Sequence, residues 1–419
     1  MRRRTNTYGR LDWLTVLIYL LLVIIGWISI YASSYDPEHR SILDLEQSYG
    51  RQLLWIIAAV VLALIILMID GKFFSTFAYL IYGISILSLI GVLLVGATIA
   101  GSKSWFQLGS FAIQPAEFAK FATCLAIAKY LTTLHVNLKK FKHLIISLAI
   151  IFAPAFLILL QHDTGSALVY TAFVFVLYRE GLSGSFLIII LLASLLFIFT
   201  LLFGKWPVLI GIGGLLLLFV MLIKAARKRL KLLIGATVLM AAFTFTVEYG
   251  FQNVLKPHQK ERIEVLLGKK DDPHGVEYNV NQSKIAIGSG GFSGKGFLQG
   301  TQTKFDFVPE QSTDFIFCTI GEEWGFMGSA VLIILFMLLL FRIVKLAERQ
   351  RSDFSRIYGY GVASILLFHF LINIGMTIGL TPVIGIPLPF ISYGGSSLWA
   401  FTILLFIFLR LDSSRLEAL

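Results

Sequence analysis

The sequence predicts an all-α polytopic membrane protein, and its composition and its apolar patterning carry that prediction. Of the 419 residues, 57% are apolar and only 14% are charged, whereas soluble domains have about 25% charged residues. The apolar residues fall in blocks of about 18–22, the length that a helix needs to cross roughly 30 Å of hydrocarbon. The short segments of alternating polarity that mark membrane barrels do not occur in the sequence.

About twelve spans are predicted, and the whole chain, 1–419, is expected to form one integral-membrane domain. The first block, from Trp13 to Ile30, has no small-residue cleavage site and is long enough to remain as a span. Between 184 and 250 the loops are short, so that two spans could also be one broken helix. The predicted spans are 13–32, 52–69, 74–97, 117–134, 144–161, 164–179, 184–203, 206–223, 232–250, 315–341, 357–380 and 390–410.

The net charge of +11 is interpreted as a topology signal and not as a nucleic-acid footprint. With an even number of spans, every dense basic cluster falls on one face, which the positive-inside rule makes cytoplasmic together with both termini. The opposite face then carries 33–51, 98–116, the turn near 162, a long loop over 251–314, and 381–389. The basic clusters are Arg2 to Arg4 with Arg10, Lys139 to Lys142, Lys224 to Lys231, Arg342 to Arg356, and Arg410 with Arg415.

Glu117 and Lys120 are charged residues at the start of the fourth predicted span, where ionisable groups are costly. Their spacing of three places them on one helix face within pairing distance. One interpretation is a capping acid in a structural ion pair. The other is the polar lining of an outward-facing cavity in which Lys120 binds a lipid phosphate.

Asp163 and Trp105 also lie on the outer face. Asp163 follows His162 in a turn, where it is either a helix N-cap or a site residue. The pair has too few ligands to form a metal site. Trp105 is either an interfacial anchor or a ring on which a sugar stacks. Cys124 and Cys318 lie in apolar stretches and are expected to be small buried side chains, neither a disulfide nor a metal set.

Asp314 stands where the long loop enters a span, directly before Phe315. Thr313 or Asp314 could cap the helix that follows. Alternatively, partial desolvation raises the pKa of Asp314 towards the range of a general base. Glu322 and Glu323, about two turns deeper, are expected to make structural polar contacts.

The stretch from Gly288 to Gly296 is rich in glycine but lacks the Walker pattern, because Gly296 stands where Ser or Thr should follow Lys295. Its backbone amides, with Lys284, Lys295 and Arg262, could bind a diphosphate. The alternative is a tight loop packed on the helices.

A run rich in proline and glycine, 381–397, contains Ser392 and predicts a broken, re-entrant element. Irregular backbone at membrane depth is tolerated only where protein or a cavity covers it. Since this run, the glycine-rich loop and the three carboxylates Glu117, Asp163 and Asp314 all fall on one face, the sequence predicts an outward-facing active cavity.

A set of short motifs runs along most of the chain: Lys103, Trp105, Gln114 to Glu117, Tyr278-Asn279, Gln282 to Gly291, Gly294 to Gly296, Gly300 to Gln302, Pro309-Glu310, Thr313 to Phe317, Pro387 to Pro389 and Ser392 to Ser396. These motifs resemble the SEDS family of peptidoglycan glycosyltransferases, and its elongation branch more than its division branch. The resemblance departs from the family at 200–250, where extra spans are added to the usual ten, and slightly at Ala116 and at 162–164.

The resemblance implies an enzyme that polymerises lipid II outside the membrane, with Asp314 as its essential acid. In the expected inverting transfer, Asp314 deprotonates the acceptor hydroxyl. Glu117, Trp105, Asp163 and Ser392 are expected to contact the substrate. The leaving diphosphate would be stabilised by a divalent ion or by basic groups, which are Lys120, Arg262, Lys284 and Lys295.

The expected partners are a class B penicillin-binding protein and other membrane proteins of the elongation complex, and no nucleic acid. A lipid II flippase or another lipid transporter is the main alternative, because many spans and buried charges suit a transporter equally well. A non-catalytic scaffold is the second alternative, but it leaves Asp314 without a role.

Overall fold

A computed structural model shows that the chain is predominantly helical. It describes residues 10–35, 41–99, 101–109, 111–222, 228–254, 260, 263–264, 269, 276–304 and 307–416. The chain divides into two compact units, one formed by Met1–Leu182 with Asn279–Leu419 and the other by Ser183–Tyr278. Whether the two behave as one integral-membrane domain stays a prediction.

The first part of the larger unit contains eight helices and a small sheet. Helix α1 ends beside the loop that enters α2, and α3 and α4 are separated by a single residue, Phe77. The elements are α1 (Trp13–Ser33), α2 (Ser48–Met68), α3 (Gly71–Thr76), α4 (Ala78–Val95), β1 (Ala97–Ile99), β2 (Ser102–Leu108), β3 (Phe111–Ile113), α5 (Pro115–Leu131), α6 (Phe141–Leu160), α7 (Thr164–Leu168) and α8 (Phe173–Arg179).

The smaller unit contains α9 (Gly184–Phe203), α10 (Lys205–Leu222) and α11 (Leu230–Tyr249), which pack on one another. Gly204 separates the first two with a φ of +80°, and each of the two is by itself long and apolar enough to cross a membrane, so they are two span-length helices and not one broken helix. Lys205 and Glu248 form an ion pair of 3.0 Å between α10 and α11.

The rest of the larger unit begins within the long loop and ends with three long helices. These elements are α12 (Val276–Ser289), α13 (Thr301–Lys304), α14 (Ile316–Glu348), α15 (Asp353–Thr377) and α16 (Gly395–Ser413). Between α15 and α16 the backbone is irregular, and Gly379, Gly385 and Gly394 have positive φ. The broken element predicted at 381–397 is therefore present up to Gly394.

The twelve predicted spans all fall on helices, and the polytopic helical class is confirmed. Within the described ranges, ten helices are long and apolar enough to cross a membrane. Two predicted spans fall short of this criterion. Helix α5 has only 17 residues and carries three charged ones, and the segment Thr164–Arg179 is shorter than a full span and is interrupted by a 3-10 turn, Val169–Ala172.

Helix α5 lies at the centre of the larger unit, where it contacts α4, α6, α15 and α16. Most of its residues are buried, including both charged residues of its first turns. This central position is what places the Glu117 and Lys120 side chains inside protein and away from lipid.

The loop after α4 forms a three-stranded antiparallel sheet that the sequence analysis did not predict. Strand β2 pairs with β1 and β3 on either side, in the order β1-β2-β3. Gly101 and Gly109 turn the chain between the strands with φ of +82° and +62°. Lys103 on β2 donates to the carbonyls of Leu93 and Leu94 at 2.9 and 3.2 Å and so neutralises the carboxyl end of α4.

Candidate active site

Asp314 lies in the turn that precedes α14, and its side chain is half-buried. Helix α14 begins at Ile316, and its capping position is held by Phe315, whose side chain makes no capping hydrogen bond. Thr313 donates to the carboxylate of Glu310, at 2.7 Å. Thr313 and Asp314 thus both precede the capping position, and the role of Asp314 as a general base stays a prediction.

Three consecutive carbonyl groups of this turn are held by hydrogen bonds. The carbonyl of Ser312 accepts from the Tyr393 amide at 2.9 Å. The carbonyl of Thr313 accepts from the Ser392 hydroxyl at 2.6 Å. Both of these donors, Tyr393 and Ser392, belong to the irregular segment between α15 and α16, so that segment holds the backbone of the turn in place.

The third carbonyl, that of Asp314 itself, accepts from Nδ2 of Asn373 at 2.8 Å. The same nitrogen donates to the carbonyl of Ile386, also at 2.8 Å. Between these contacts, Gly385 faces the Asp314 carboxylate, and a Cβ built on Gly385 would lie 3.2 Å from Asp314 Oδ2. The absence of a side chain at Gly385 therefore leaves space beside the carboxylate.

Glu117 and Lys120 form a buried ion pair, with Lys120 Nζ 2.8 Å from Glu117 Oε2 and only 3% and 2% of the side chains exposed. Lys120 Nζ also lies 3.0 Å from Nε2 of His369 on α15. The other ring nitrogen of His369, Nδ1, lies 3.0 Å from the carbonyl of Pro387. A carbonyl only accepts, so Nδ1 carries the hydrogen and Nε2 accepts from Lys120.

The buried ion pair and the Asp314 turn are thus connected through one short segment. His369 holds Pro387, and Asn373 holds the neighbouring Ile386 as well as Asp314. The ion pair that the sequence offered as one interpretation is present. A role of Lys120 or Glu117 in substrate binding, including the binding of a lipid phosphate by Lys120, stays a prediction.

The sequence analysis missed His369 and Asn373, although a signal was available. The two residues stand four positions apart in an apolar helix, and both side chains are fully buried. Polar residues repeated at this spacing on one helix face mark a site by default, because each needs a partner inside protein.

Asp163 acts as the N-cap of α7. Its Oδ1 accepts from the amide of Ser166 at 3.0 Å, and its Oδ2 accepts from the Ser166 hydroxyl and from Gln114 Nε2, both at 2.8 Å. The first turn of α7 approaches the irregular segment, since a Cβ on Gly165 would lie 2.7 Å from the carbonyl of Ile384. The helix that Asp163 caps therefore packs next to Gly385, which faces Asp314.

Ser392 and Trp105 have different surroundings. Ser392 is buried, and its hydroxyl accepts from the amide of Leu388 at 2.8 Å while donating to Thr313. It therefore holds the segment against the Asp314 turn. Trp105 is half-buried on β2, paired opposite Ala97. The part of either residue in binding a substrate stays a prediction.

The glycine-rich loop packs into a break in α14. At Gly325 the helix has φ +61° and ψ −155°, which frees backbone groups on both sides. The amides of Lys295 and Gly296 donate to the carbonyls of Glu322 and Glu323, each at 3.0 Å. A Cβ on Gly294 would lie 2.1 Å from the Glu323 carbonyl, so this close approach needs glycine.

Glu322 holds the same loop through its side chain. It is fully buried and accepts from Lys295 Nζ at 2.6 Å and from the amides of Thr301, Gln302 and Thr303 at 2.8 to 2.9 Å. Glu323 accepts from the amide of Leu298 at 3.0 Å. The expectation of structural contacts for these two residues is confirmed, and the charge of Lys295 is neutralised by Glu322.

Lys284 is exposed on α12 and lies against Gly379, where a Cβ would be 2.6 Å from its Nζ. Within the described ranges it forms no ion pair. Two residues along α12, Ala286 packs in a cluster with Phe315, so this helix covers the Asp314 turn. Arg262 lies outside the described residues.

Metal-ligating side chains do not cluster in the described part of the chain: no group of three or more His, Cys, Asp or Glu there could hold an ion. Cys124 and Cys318 are free and buried, as expected.

Comparison with known proteins identifies relatives along the whole chain. A family model described as cell cycle protein, for FtsW, RodA and SpoVE, matches residues 12–210 and 207–417. The protein called peptidoglycan glycosyltransferase RodA of Treponema pallidum is 34% identical over 97% of this chain and 98% of its own length. The protein called peptidoglycan glycosyltransferase MrdB of Escherichia coli K12 is 34% identical over 93% and 90%.

Two solved structures are similar in fold. One, described as "Structural coordination of polymerization and crosslinking by a peptidoglycan synthase complex", has a TM-score of 0.71 and 27% identity, and covers 97% of this chain and 99% of its own. The rod shape determining protein RodA of Thermus thermophilus has a TM-score of 0.63 and 25% identity, over 97% of this chain and 98% of its own.

Proposed function

The chain belongs to the FtsW, RodA and SpoVE family of cell cycle proteins, and we propose that it polymerises lipid II into glycan strands with Asp314 as the general base. It is a multi-pass membrane protein and a peptidoglycan glycosyltransferase of the elongation type, since relatives that cover nearly the whole chain carry that name. The observation that supports the residue assignment is the Asp314 turn. Its backbone is fixed by three hydrogen bonds, and its carboxylate faces a glycine.

The proposed chemistry is an inverting glycosyl transfer. The Asp314 carboxylate takes the proton of the acceptor sugar 4-hydroxyl as that oxygen attacks the anomeric carbon of the donor. The bond from the anomeric carbon to the diphosphate oxygen breaks, and undecaprenyl diphosphate leaves with the electron pair. One carboxylate acting as a base on one face gives inversion, whereas retention needs a second carboxylate as nucleophile.

The leaving diphosphate needs positive charge close to the glycosidic oxygen. Lys120 and Lys295 are both neutralised by buried glutamates. Lys284 is exposed and lies on the helix that covers the Asp314 turn, which makes it the best placed basic group among those described. Arg262 and a divalent ion remain further proposed contributors.

The proposed location of the site is the outer face of the cytoplasmic membrane, with both termini inside. Support comes from the basic clusters, which an even number of crossings places together on the other face. We also propose a class B penicillin-binding protein and elongation-complex proteins as partners. The similar peptidoglycan synthase complex supports the first of these.

The main alternative is transport of lipid II between leaflets, and one experiment separates it from polymerisation. Purified protein with its cognate transpeptidase is given lipid II, and glycan strands and leaflet exchange are both measured in vesicles. The variants are Asp314→Ala and, as a matched control, Glu46→Gln, which alters an exposed carboxylate in the loop before α2.

Strands from the wild type and from Glu46→Gln, with none from a folded Asp314→Ala, are the expected result. Normal polymerisation by Asp314→Ala would remove Asp314 from the chemistry. Exchange of lipid II without any strands from the wild type would replace the proposed function with the transport alternative.

A further inference from the structure

Asn373 is a buried amide near the C-terminal end of α15 that bonds to two separate stretches of backbone. Its side chain is fully inaccessible to solvent. Nδ2 donates to the carbonyl of Asp314 and to the carbonyl of Ile386, each at 2.8 Å. Both hydrogens of the amide are therefore committed to carbonyl groups of non-helical segments, and neither supports α15 itself.

The orientation of the Asn373 amide is fixed by those partners. Both acceptors are carbonyl oxygens, which cannot donate, so a flipped amide would place Oδ1 against two acceptors. The donors must face Asp314 and Ile386 together. The side chain thus sets the separation between the turn that carries Asp314 and the segment around Gly385.

That separation bounds the space beside the carboxylate. Gly385 precedes Ile386 directly, and a Cβ at Gly385 would lie 3.2 Å from Asp314 Oδ2. The other two bonds to the turn, from Tyr393 and Ser392, come from the far end of the same irregular segment. The Asn373 side chain therefore connects both sides of this space, the Asp314 turn and the segment around Gly385, to helix α15.

We propose that Asn373 is a positioning residue for the transfer, which holds the Asp314 carboxylate at a fixed distance from the 384–386 segment. The inference rests on the proposed function of Asp314. Asn373 contacts the backbone of Asp314 and not its carboxylate, so its loss shifts the base without removing it. A displacement of about 1 Å costs roughly 100-fold in rate, and the effect is expected in kcat, with little change in KM.

The test compares Asn373→Leu, which keeps the side-chain volume and removes both donors, with Thr377→Val. Thr377 lies one turn further along α15, is equally buried, and its hydroxyl donates only within the helix, to the Ile374 carbonyl at 2.8 Å. Each protein is purified with its transpeptidase. Lipid II binding stoichiometry and thermal unfolding count the folded molecules, and kcat and KM are measured per binding-competent molecule.

The expected result is a fall in kcat of about 10- to 100-fold for Asn373→Leu, with unchanged KM, unchanged binding stoichiometry and wild-type behaviour of Thr377→Val. An unchanged kcat per binding-competent molecule would overturn the inference, and so would an equal loss in Thr377→Val. Asn373→Ser, smaller and with one donor, is read in the same way if Asn373→Leu does not fold.

The results distinguish a failure of the positioning role of Asn373 from a failure of the proposed function. If the wild type polymerises, Asp314→Ala does not, and Asn373→Leu turns over normally, only the positioning role fails. If the wild type makes no glycan strands, the proposed function is wrong, and the positioning role of Asn373, which rests on it, is wrong with it.

Discussion

The buried pair of Glu117 and Lys120 allows a quantitative test of how the centre of the larger unit is stabilised. Replacing Lys120 with Met leaves the Glu117 carboxylate buried without its cation, since only 3% of that side chain is exposed. Breaking one partner of a buried pair costs about 3–5 kcal/mol, because the remaining charge is uncompensated. Replacing both at once, as Glu117→Gln with Lys120→Met, is expected to recover part of that loss.

The chain contains a closely matched exposed pair. Asp353 and Arg356 have the same spacing of three and the same separation of 2.8 Å as the buried pair, but Asp353 is 65% exposed. Its replacement by Asn is expected to cost about 0–1 kcal/mol, as for surface ion pairs in general. The difference between the two losses therefore reports the burial of the Glu117 pair together with the contact of Lys120 to His369.

The assay is unfolding by SDS titration in mixed micelles, followed by tryptophan fluorescence, for wild type, Lys120→Met, the double variant and Asp353→Asn. The expected order of stability is wild type, Asp353→Asn, the double variant, and last Lys120→Met. A Lys120→Met protein as stable as Asp353→Asn would contradict this expectation, because it would mean that the Glu117 carboxylate does not need its cation inside the protein.

Two further predictions concern the irregular segment and the opposite end of the helices. Gly385→Ala adds a Cβ 3.2 Å from Asp314 Oδ2 at a φ of +75°, so polymerisation is expected to slow. The control Gly83→Ala places its Cβ in open space and is expected to have no effect. Equal polymerisation rates of the two variants would show that the space between Gly385 and the Asp314 carboxylate is not used. At the start of α1, burial raises the pKa of Asp12, but hydrogen bonds from Arg342 and Thr15 outweigh it and lower the pKa from 3.8 to about 2. The loss of unfolding free energy caused by Arg342→Gln is therefore expected to be largest above pH 3.8 and to disappear as the pH falls through about 2. A difference in unfolding free energy between wild type and Arg342→Gln that is the same at all pH values would contradict this.

Features set by neighbouring residues could be predicted from the sequence. The membrane spans are predicted by unbroken apolar runs. The N-cap role of Asp163 is predicted by its position in a turn before a helix, and the ion pair of Glu117 with Lys120 by their spacing of three residues. The small sheet after α4 was missed because its strands have only three to seven residues, too few for a periodic signal.

Features set by distant residues could not be predicted. His369 meets Lys120 across 249 positions, and Asn373 meets Asp314 across 59. Lys295 is expected from the sequence to bind a diphosphate, because it lies in a glycine-rich loop whose backbone amides could bind the same group. In the folded chain Glu322, 27 positions away, neutralises it.

The polymerisation rate of Asp314→Asn tests whether the Asp314 carboxylate is the base of the transfer. The substitution keeps the shape of the side chain and removes its ability to accept the proton. With lipid II binding unchanged, we expect a rate about 100- to 10,000-fold lower than that of the wild type, the usual contribution of a general base. A loss of less than about tenfold would contradict it.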